Sequence, residues 1–560
     1  MDQPETIAEA VLRRTDDAAI GLIAGDLRLT HAEVVSHAAR RAAWLHALRS
    51  PGPFHVAVLL ENVPEFVFWL EATALAGAVL VGANPTHRGE ELVRDLGHTE
   101  CQLLVTDTAS LPLLDGAHIE GALGTISAAN PRVLVLDSPA AQGLLDSFGD
   151  PDAAEVSDPT VSPQTLGYLL FTSGTSGAPK ACLCTQGRLA RIGGILAGRL
   201  GLTGADVCYL AMPLFHSNAL MAGWSPALVA GSAFALPSAG RFSASGFLPD
   251  VRAAGATYFN YVGKPLAYIL GTPREPDDAD NPLLRVFGNE GSADDVTRFS
   301  ERFGVPVTDA YGSTEGGASV SRTADSPPGA LGRAPEGTGT VVLNASTGEE
   351  CPPARFDDQG RLLNAEAAIG ELVSKAGGAD FEGYWRNVDA ERSRLRNGWY
   401  WTGDLAYRDE AGFFYFAGRD DDWLRVDGEN FASAPIERIL QRHPDVALAA
   451  VYAVPDPLVG DQVMAALQLR PGVETLDPDA LAAFLESQGD LGTKWAPRFV
   501  RLTPALPMTT TNKVLKRALR AERWNCAEPV LWQREKGAPY ARLRDDEARV
   551  LEAAVGDRVM

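Results

Sequence analysis

Apolar residues along the first half of this chain fall into short blocks separated by amphipathic stretches, so two periods alternate. HVAVLLEN (55–62), AVLVGANP (78–85), QLLVT (102–106) and YLLF (168–171) are runs of buried-strand length. A helix is expected from about Pro64 to Ala76. Before these blocks the pattern predicts a helix, a strand pair around Gly21 to Leu29, and a helix after Thr30, whose hydroxyl suits an N-cap. After a connection rich in Pro, Ser and Asp (149–163) and the run at 168, the alternation resumes. It gives a helix at 186–200, the strand DVCYLAMP (206–213), the loop LFHSNAL (214–220), a further helix and the strand SAFALP (232–237). TYFNYV (257–262), RVFGNEG (285–291) and VPVTDAYGSTEGG (305–317) are three strand-to-loop transitions of one kind. The alternation predicts an α/β unit on a parallel sheet. Ligands of open parallel sheets bind beyond the carboxyl ends of the strands, so these small, polar loops are expected to converge on one edge.

From 330 to 415 the pattern shifts to short strands rich in Gly and Pro, GTVVLN, GRLLN and GELVS, which reads as a small β subdomain. It closes in GWYWTGDLAYRDEAGFFYFAGR (398–419), two strands flanking a D-E-A-G turn, with WTGD read as a second tight turn. The polar run RDDD (419–422) is a break. Beyond it come a strand pair, a helix near 434–441, the strands VALAAVYAVP and QVMAALQLRP, a helix near 478–488 and the strand FVRLT. This amounts to an α+β module of roughly a hundred residues, the size of a small domain. The expected organisation is a large N-terminal domain over residues 1–419, with parallel-rich sheets flanked by helices plus the β subdomain. A small mobile C-terminal α+β domain with an extension follows over 420–560, pivoting near 420–422.

With 560 residues the chain exceeds one hydrophobic core, which agrees with two domains. A net charge of -23, from 49 basic and 72 acidic residues, argues against a nucleic-acid partner. The six cysteines (Cys101, Cys182, Cys184, Cys208, Cys351, Cys526) are scattered without metal-ligand spacing, and fit a reducing compartment better than a disulfide framework. Cys182 and Cys184 alternate along a strand and are read as small core residues. The N-terminus has acids where a signal peptide carries basic residues, and no apolar window approaches the ~20 residues of a membrane span. A cytoplasmic protein is expected; peripheral membrane contact and homodimer formation stay open.

YLLFTSGTSGAPK (168–180) carries the chemistry. Glycines turn backbone N–H groups inward, hydroxyls add donors and Lys180 adds charge, which together suit a polyphosphate. The spacing is not G-x-x-x-x-G-K-[ST], so it is not a P-loop of the Walker kind. Four islands occur in order: FTSGTSGAPK, DAYGSTEGG, WTGDL with Gly418-Arg419, and TTTNKVLKRAL. On these the chain resembles the acyl-adenylate-forming superfamily along nearly its whole length. Within it, YGSTEGG, RFSASGF (241–247), FGNEG (287–291), the GEN triplet at 428–430 followed by Glu437, and the tail VLWQREKGAPYARL resemble the very-long-chain acyl-CoA synthetase and fatty-acid transport protein group.

The resemblance implies a two-step reaction with ATP, Mg²⁺ and CoA, in which a carboxylate attacks the α-phosphate and the CoA thiol then attacks the acyl-adenylate. Both steps need charge stabilisation more than covalent catalysis. It implies that Thr172, Ser173, Gly174, Thr175, Ser176, Gly177 and Lys180 hold the β- and γ-phosphates. Tyr311 would lie against adenine within Tyr311-Gly312-Ser313, Thr314 would contact the α-phosphate, and Glu315 would hold Mg²⁺, a hard cation that prefers oxygen ligands. Asp404 would accept both ribose hydroxyls, with an Asx-type turn role as the alternative, and Arg419 would reach ribose or phosphates. Lys513 would bridge the carboxylate and the α-phosphate. Asn512 stands where the family has glycine, and Asn tolerates left-handed backbone. Lys516 is the neighbouring competitor, read as a solvated surface residue. Asp421 would be the pivot, and Gly428, Glu429 and Asn430 would line a CoA tunnel.

His216 is expected at the wall of the acyl pocket, with Tyr258, Asn260, Tyr261 and Gly263 either further along it or in the core. The loop PLFHSNAL has no acid to receive a substrate ammonium, which counts against an amino acid. Together with this loop, the resemblance to the very-long-chain acyl-CoA synthetase and fatty-acid transport protein group implies a long, bulky apolar acid as substrate, a long-chain fatty acid or a steroid side-chain acid. A carrier-protein acceptor instead of CoA, and an acyl-binding or uptake protein with weakened catalysis, are the alternatives.

Overall fold

The computed structural model describes residues 3–48, 53–114, 123, 132–172, 180–291, 293–323, 325–358, 362–419, 423–426, 429–456, 460–489, 491–492, 494–508, 514–535 and 537–556. The chain divides into two compact units, Met1–Gly316 with Ala379–Arg392, and Gly317–Gly378 with Ser393–Met560.

The first unit contains two sheets. In one, the strands Val307–Gly312, Arg285–Asn289, Tyr258–Val262, Val207–Tyr209, Ala233–Leu236 and Ile20–Ala24 follow each other across the sheet, all parallel, and Leu27–Thr30 closes it antiparallel. In the other the order is Val133–Val135, Leu103–Thr106, His55–Leu59, Val79–Gly82, Leu166–Thr172 and Lys180–Thr185, parallel except for the last pair. The apolar blocks are these strands; His55–Leu59 and Val79–Gly82 are buried at every position, as strands covered on both faces must be. The helix Pro64–Leu75 is buried at every position from Phe66 to Leu75, as its largely apolar sequence demands, and it takes Glu71 and Thr73 into the core with it. The helix His31–Leu48 begins at Thr30 with a reciprocal cap: Glu33 N–H donates to Thr30 Oγ1 and Thr30 N–H to Glu33 Oε2. Because strands 207–209, 258–262, 285–289 and 307–312 are parallel neighbours, their following loops leave from one edge, as expected from the sequence.

In the second unit Thr340–Leu343, Gly370–Ser374 and Trp399–Arg408 form an antiparallel sheet, with Phe414–Arg419 and Leu395–Arg396 also on Trp399–Arg408. A further sheet holds Glu429–Ala432, Trp423–Val426, Gly460–Leu469, Phe499–Thr503, Val530–Gln533 and Tyr540–Arg542 in that order, with Val446–Asp456 paired to Gly460–Leu469. Period two sorts the side chains of Gly460–Leu469. Val463, Ala465, Leu467 and Leu469 join one core; Met464 and Ala466 join another on the opposite face. No helix among the described residues is long and apolar enough to cross a membrane.

Candidate active site

Thr172 and Lys180 are register partners at the end of an antiparallel pair, so the glycine and hydroxyl segment between them joins the two strands of a hairpin. Ser173, Gly174, Thr175, Ser176 and Gly177 lie outside the described residues, as do Asp421, Gly428 and Lys513. Glu429 and Asn430 begin the strand Glu429–Ala432, and Arg419 ends Phe414–Arg419, where it is the register partner of Asp404.

The best defined part is the corner after strand Val307–Gly312. Tyr311 is partly buried and Gly312 exposed at its end, and Ser313 Oγ donates to Gly316 O at 3.3 Å, tightening the turn. The Thr314 hydroxyl is 2.6 Å from Ser217 Oγ, and its carbonyl accepts from Arg188 Nη2 at 2.6 Å. Glu315, only 9% exposed, accepts at Oε1 from the Tyr384 hydroxyl at 2.9 Å. Arg188 itself is buried. Its Nη1 donates to Leu183 O, its backbone N–H is capped by Thr185 Oγ1, and Thr185 in turn gives its hydroxyl and N–H to Glu382. Gly316 has φ +76°, and a Cβ there would lie 2.8 Å from Arg188 Nη2, so glycine is required for the guanidinium to reach the corner. Cys182 and Cys184 are buried core residues beneath it; the Cys182 Sγ lies 3.6 Å from Thr314 O, and burial pushes both thiols up, removing them as nucleophiles.

The loop carrying His216 is fixed on several sides. Asn62 donates to Leu210 O and Met212 O and accepts from Leu214 N–H. Gly82 allows the backbone of Phe215 close: a Cβ there would meet Phe215 O at 2.6 Å. His216, half-buried, is edge-on to Phe215 and precedes a π-helical turn over Ala219–Trp224, a local geometry that recurs at functional sites. Tyr258, expected either at the pocket wall or in the core, is fully buried with its hydroxyl donating to Ala222 O. Tyr261 is also fully buried; it donates to Asp309 Oδ2 at 2.6 Å, which also accepts from Gly291 N–H. Asn260 is buried and bonded to Asn218. Gly263, at φ +74°, turns the chain out of strand Tyr258–Val262 and donates to Asn289 O.

In the second unit WTGD is not a turn between strands. Trp399–Arg408 runs straight through it, and the register against Gly370–Ser374 shifts between Glu371 and Val373. The aromatic and apolar flanks keep the chain extended, so the turn chemistry of Thr-Gly-Asp becomes a bulge. Gly403 takes φ +70° and gives its N–H to Glu371 Oε1, while Asp404 N–H donates to Thr402 Oγ1. Lys516 also departs from its expected solvated role. Its ammonium is 2.8 Å from both Glu437 Oε1 and Ser433 Oγ, and the side chain is 15% exposed. A partner helix, invisible to helical spacing, takes it out of solvent.

The sequence profile of the AMP-binding enzyme family matches residues 7–385, and that of the AMP-binding enzyme C-terminal domain matches 435–513. The chain belongs to the AMP-binding enzyme family. Among its relatives, the steroid-22-oyl-CoA synthetase of Rhodococcus jostii (strain RHA1) is 50% identical over 98% of this chain and 96% of that protein. The medium/long-chain-fatty-acid–CoA ligase FadD17 of Mycobacterium marinum is 45% identical over 95% and 99% respectively. Among solved structures, ATP-bound MatB from Rhodopseudomonas palustris superposes with a TM-score of 0.78 at 25% identity, covering 92% of this chain and 98% of that one. The family match spans the Thr314–Glu315 corner of this AMP-binding enzyme together with Arg188 and Tyr384, which motif reading passed over. The paired glycines at 316–317 are the one local sign that something bulky approaches there.

Proposed function

We propose that this enzyme is an ATP-dependent acyl-CoA ligase that activates a long or bulky hydrophobic carboxylic acid, a steroid side-chain acid or a long-chain fatty acid. It forms an acyl-adenylate, then the CoA thioester, releasing pyrophosphate and AMP. The observation that carries the chemistry is the Thr314–Glu315 corner, a hydroxyl and a carboxylate held side by side at the carboxyl edge of a parallel sheet by Ser217, Arg188 and Tyr384. The relatives' substrates and the acid-free loop 213–220 support the substrate class.

In this reading Thr172 to Gly177 and Lys180 hold the departing pyrophosphate, Tyr311 lies against adenine, and Thr314 donates to the α-phosphate. Glu315 is a suitable Mg²⁺ ligand: Tyr384 occupies one carboxylate oxygen and so orients the second, a hard donor. Mg²⁺ there would neutralise phosphate charge. Asp404 receives the ribose hydroxyls and Arg419 supports the same part of the nucleotide. Lys513 cancels the repulsion between the two anions that must meet, several kcal/mol at contact for an effective dielectric of ~20. The small domain pivots about Asp421 to bring Gly428 to Asn430 to the CoA side, and His216 closes the acyl side.

Purified enzyme with ATP, Mg²⁺, CoA and a panel of steroid and fatty acids should form thioester, AMP and pyrophosphate; cleavage to ADP overturns the proposal. Lys513→Ala should stop adenylate formation while sparing thioester formation from supplied adenylate.

A further inference from the structure

The loop 213–218 is joined to the strand that leads into Thr314 by a relay of side-chain amides. Asn260 Nδ2 donates to Asn218 Oδ1 at 2.7 Å, Asn218 Nδ2 donates to Asn289 Oδ1 at 3.3 Å and to Tyr261 O at 3.4 Å, and Asn289 Nδ2 donates to Ala310 O at 2.6 Å. Three adjacent parallel strands thus hold Asn218 in place, and Gly223 leaves room for this arrangement, since a Cβ there would lie 2.9 Å from Asn260 Oδ1. The residue before Asn218 is Ser217, 8% exposed, with its hydroxyl 2.6 Å from that of Thr314.

We propose that Ser217 is a positioning residue that sets the direction in which Thr314 donates, coupling the loop beside the acyl site to the phosphate-side hydroxyl. The proposal rests on the assignment of Thr314 to the α-phosphate. A phosphate oxygen only accepts, and a threonine hydroxyl has one proton, so a Thr314 that donates to phosphate must accept from its neighbour. Ser217 is that donor. Anchored by the amide relay and by Asn62, it fixes the Thr314 hydroxyl before substrate arrives, and a preorganised donor is most effective where charge develops in the transition state. Neither Ser217 nor Asn218 received a role from the motif PLFHSNAL, in which His216 is the conspicuous residue.

The test is steady-state kinetics of adenylate formation on Ser217→Ala, Ser217→Thr and the Ser217→Ala/Thr314→Ala pair. Ser217→Ala is expected to lower kcat about tenfold with the KM for ATP changed by less than about twofold, the split that marks an interaction made in the transition state. Ser217→Thr, which keeps the hydroxyl, should recover most of the loss. The double variant should be no slower than Thr314→Ala, and thioester formation from supplied acyl-adenylate should be unchanged. An unaffected kcat in Ser217→Ala, or losses that multiply in the double variant, overturns the inference while leaving the ligase reading intact. Crystal structures of the ligand-free wild type and Ser217→Ala give a readout that needs no turnover: one Thr314 rotamer is expected in the first and a changed or split rotamer in the second. The same single rotamer in both overturns the inference whatever reaction the enzyme performs.

Discussion

In the first unit side chains from distant parts of the chain converge on the Glu315 corner; in the second, a bulge in the backbone at Gly403 leads into Asp404. Tyr384 and Arg188 converge on the Glu315 corner, and both are buried. Around Asp404 the peptide itself is bent, and the N–H groups that the bulge takes out of the ladder are met by Glu371 and Thr402. The difference teaches where each site is vulnerable. Truncating a remote side chain should loosen the first, whereas the second should yield to a backbone change and tolerate much else.

The largest effect that tests this contrast is expected from Arg188→Met. It strands the carbonyls of Thr314 and Leu183, so stability should fall on the order of 3 kcal/mol. The displaced corner should cost about a hundredfold in kcat/KM for ATP; urea titration and steady-state kinetics measure the two. Full activity in this variant would break the claim that the corner depends on a remote side chain.

Glu71 offers a third carboxylate, steered by neither device. It is 1% exposed, its Oε2 is buried without a hydrogen-bond partner among the described residues, and burial pushes its pKa up to about 8. The folded state keeps this proton where the unfolded chain has lost it, so the stability it contributes is full below about 4.5 and is lost as pH rises through about 8. The swing is on the order of a few kcal/mol. Glu71→Gln should flatten Tm against pH between 5 and 8 and raise Tm at pH 8; a parallel pair of curves would contradict it.

Gly403→Ala should cost about 1–2 kcal/mol, because φ +70° strains an L residue and its Cβ runs into the Arg394 guanidinium. Asp404→Ala, which leaves the bulge intact, should change the melting temperature little while weakening ATP use. Equal melting losses in both would mean that the bulge is held by the Asp404 side chain after all. The smallest effect is that of Tyr384→Phe, which removes one hydrogen bond to Glu315 and should lower kcat about fivefold, roughly 1 kcal/mol. A shift in the Mg²⁺ concentration giving half-maximal rate would sharpen the assignment of Glu315.

The strands were legible because buried parallel strands have to be apolar throughout, and HVAVLLEN and YLLF are. The Thr314–Glu315 turn was legible because small residues followed a strand. Arg188 was not: in QGRLARIGG it looks like any basic residue of an amphipathic helix, and its burial depends on a missing Cβ at Gly316, far along the chain. WTGD carried real turn chemistry, but Trp401 and Leu405 on either side hold the chain in the sheet, and tertiary pairing overrode the local signal. Lys516 shows the same limit, since helical spacing says nothing of Glu437 and Ser433 on another helix.

The strand Ile20–Ala24 pairs in parallel with Ala233–Leu236, Leu22 opposite Phe234 and Ile23 opposite Ala235. A ribosome adding about 5–20 residues per second needs on the order of ten to forty seconds to make the intervening chain. Through that interval the apolar segment IGLIA lacks its parallel neighbour and has only its own hairpin and the helix His31–Leu48 to pack on, and a lone hairpin is marginal in water. The N-terminal edge of the sheet is thus synthesised long before the strand it must join, which makes it a segment that nascent-chain chaperones have reason to hold.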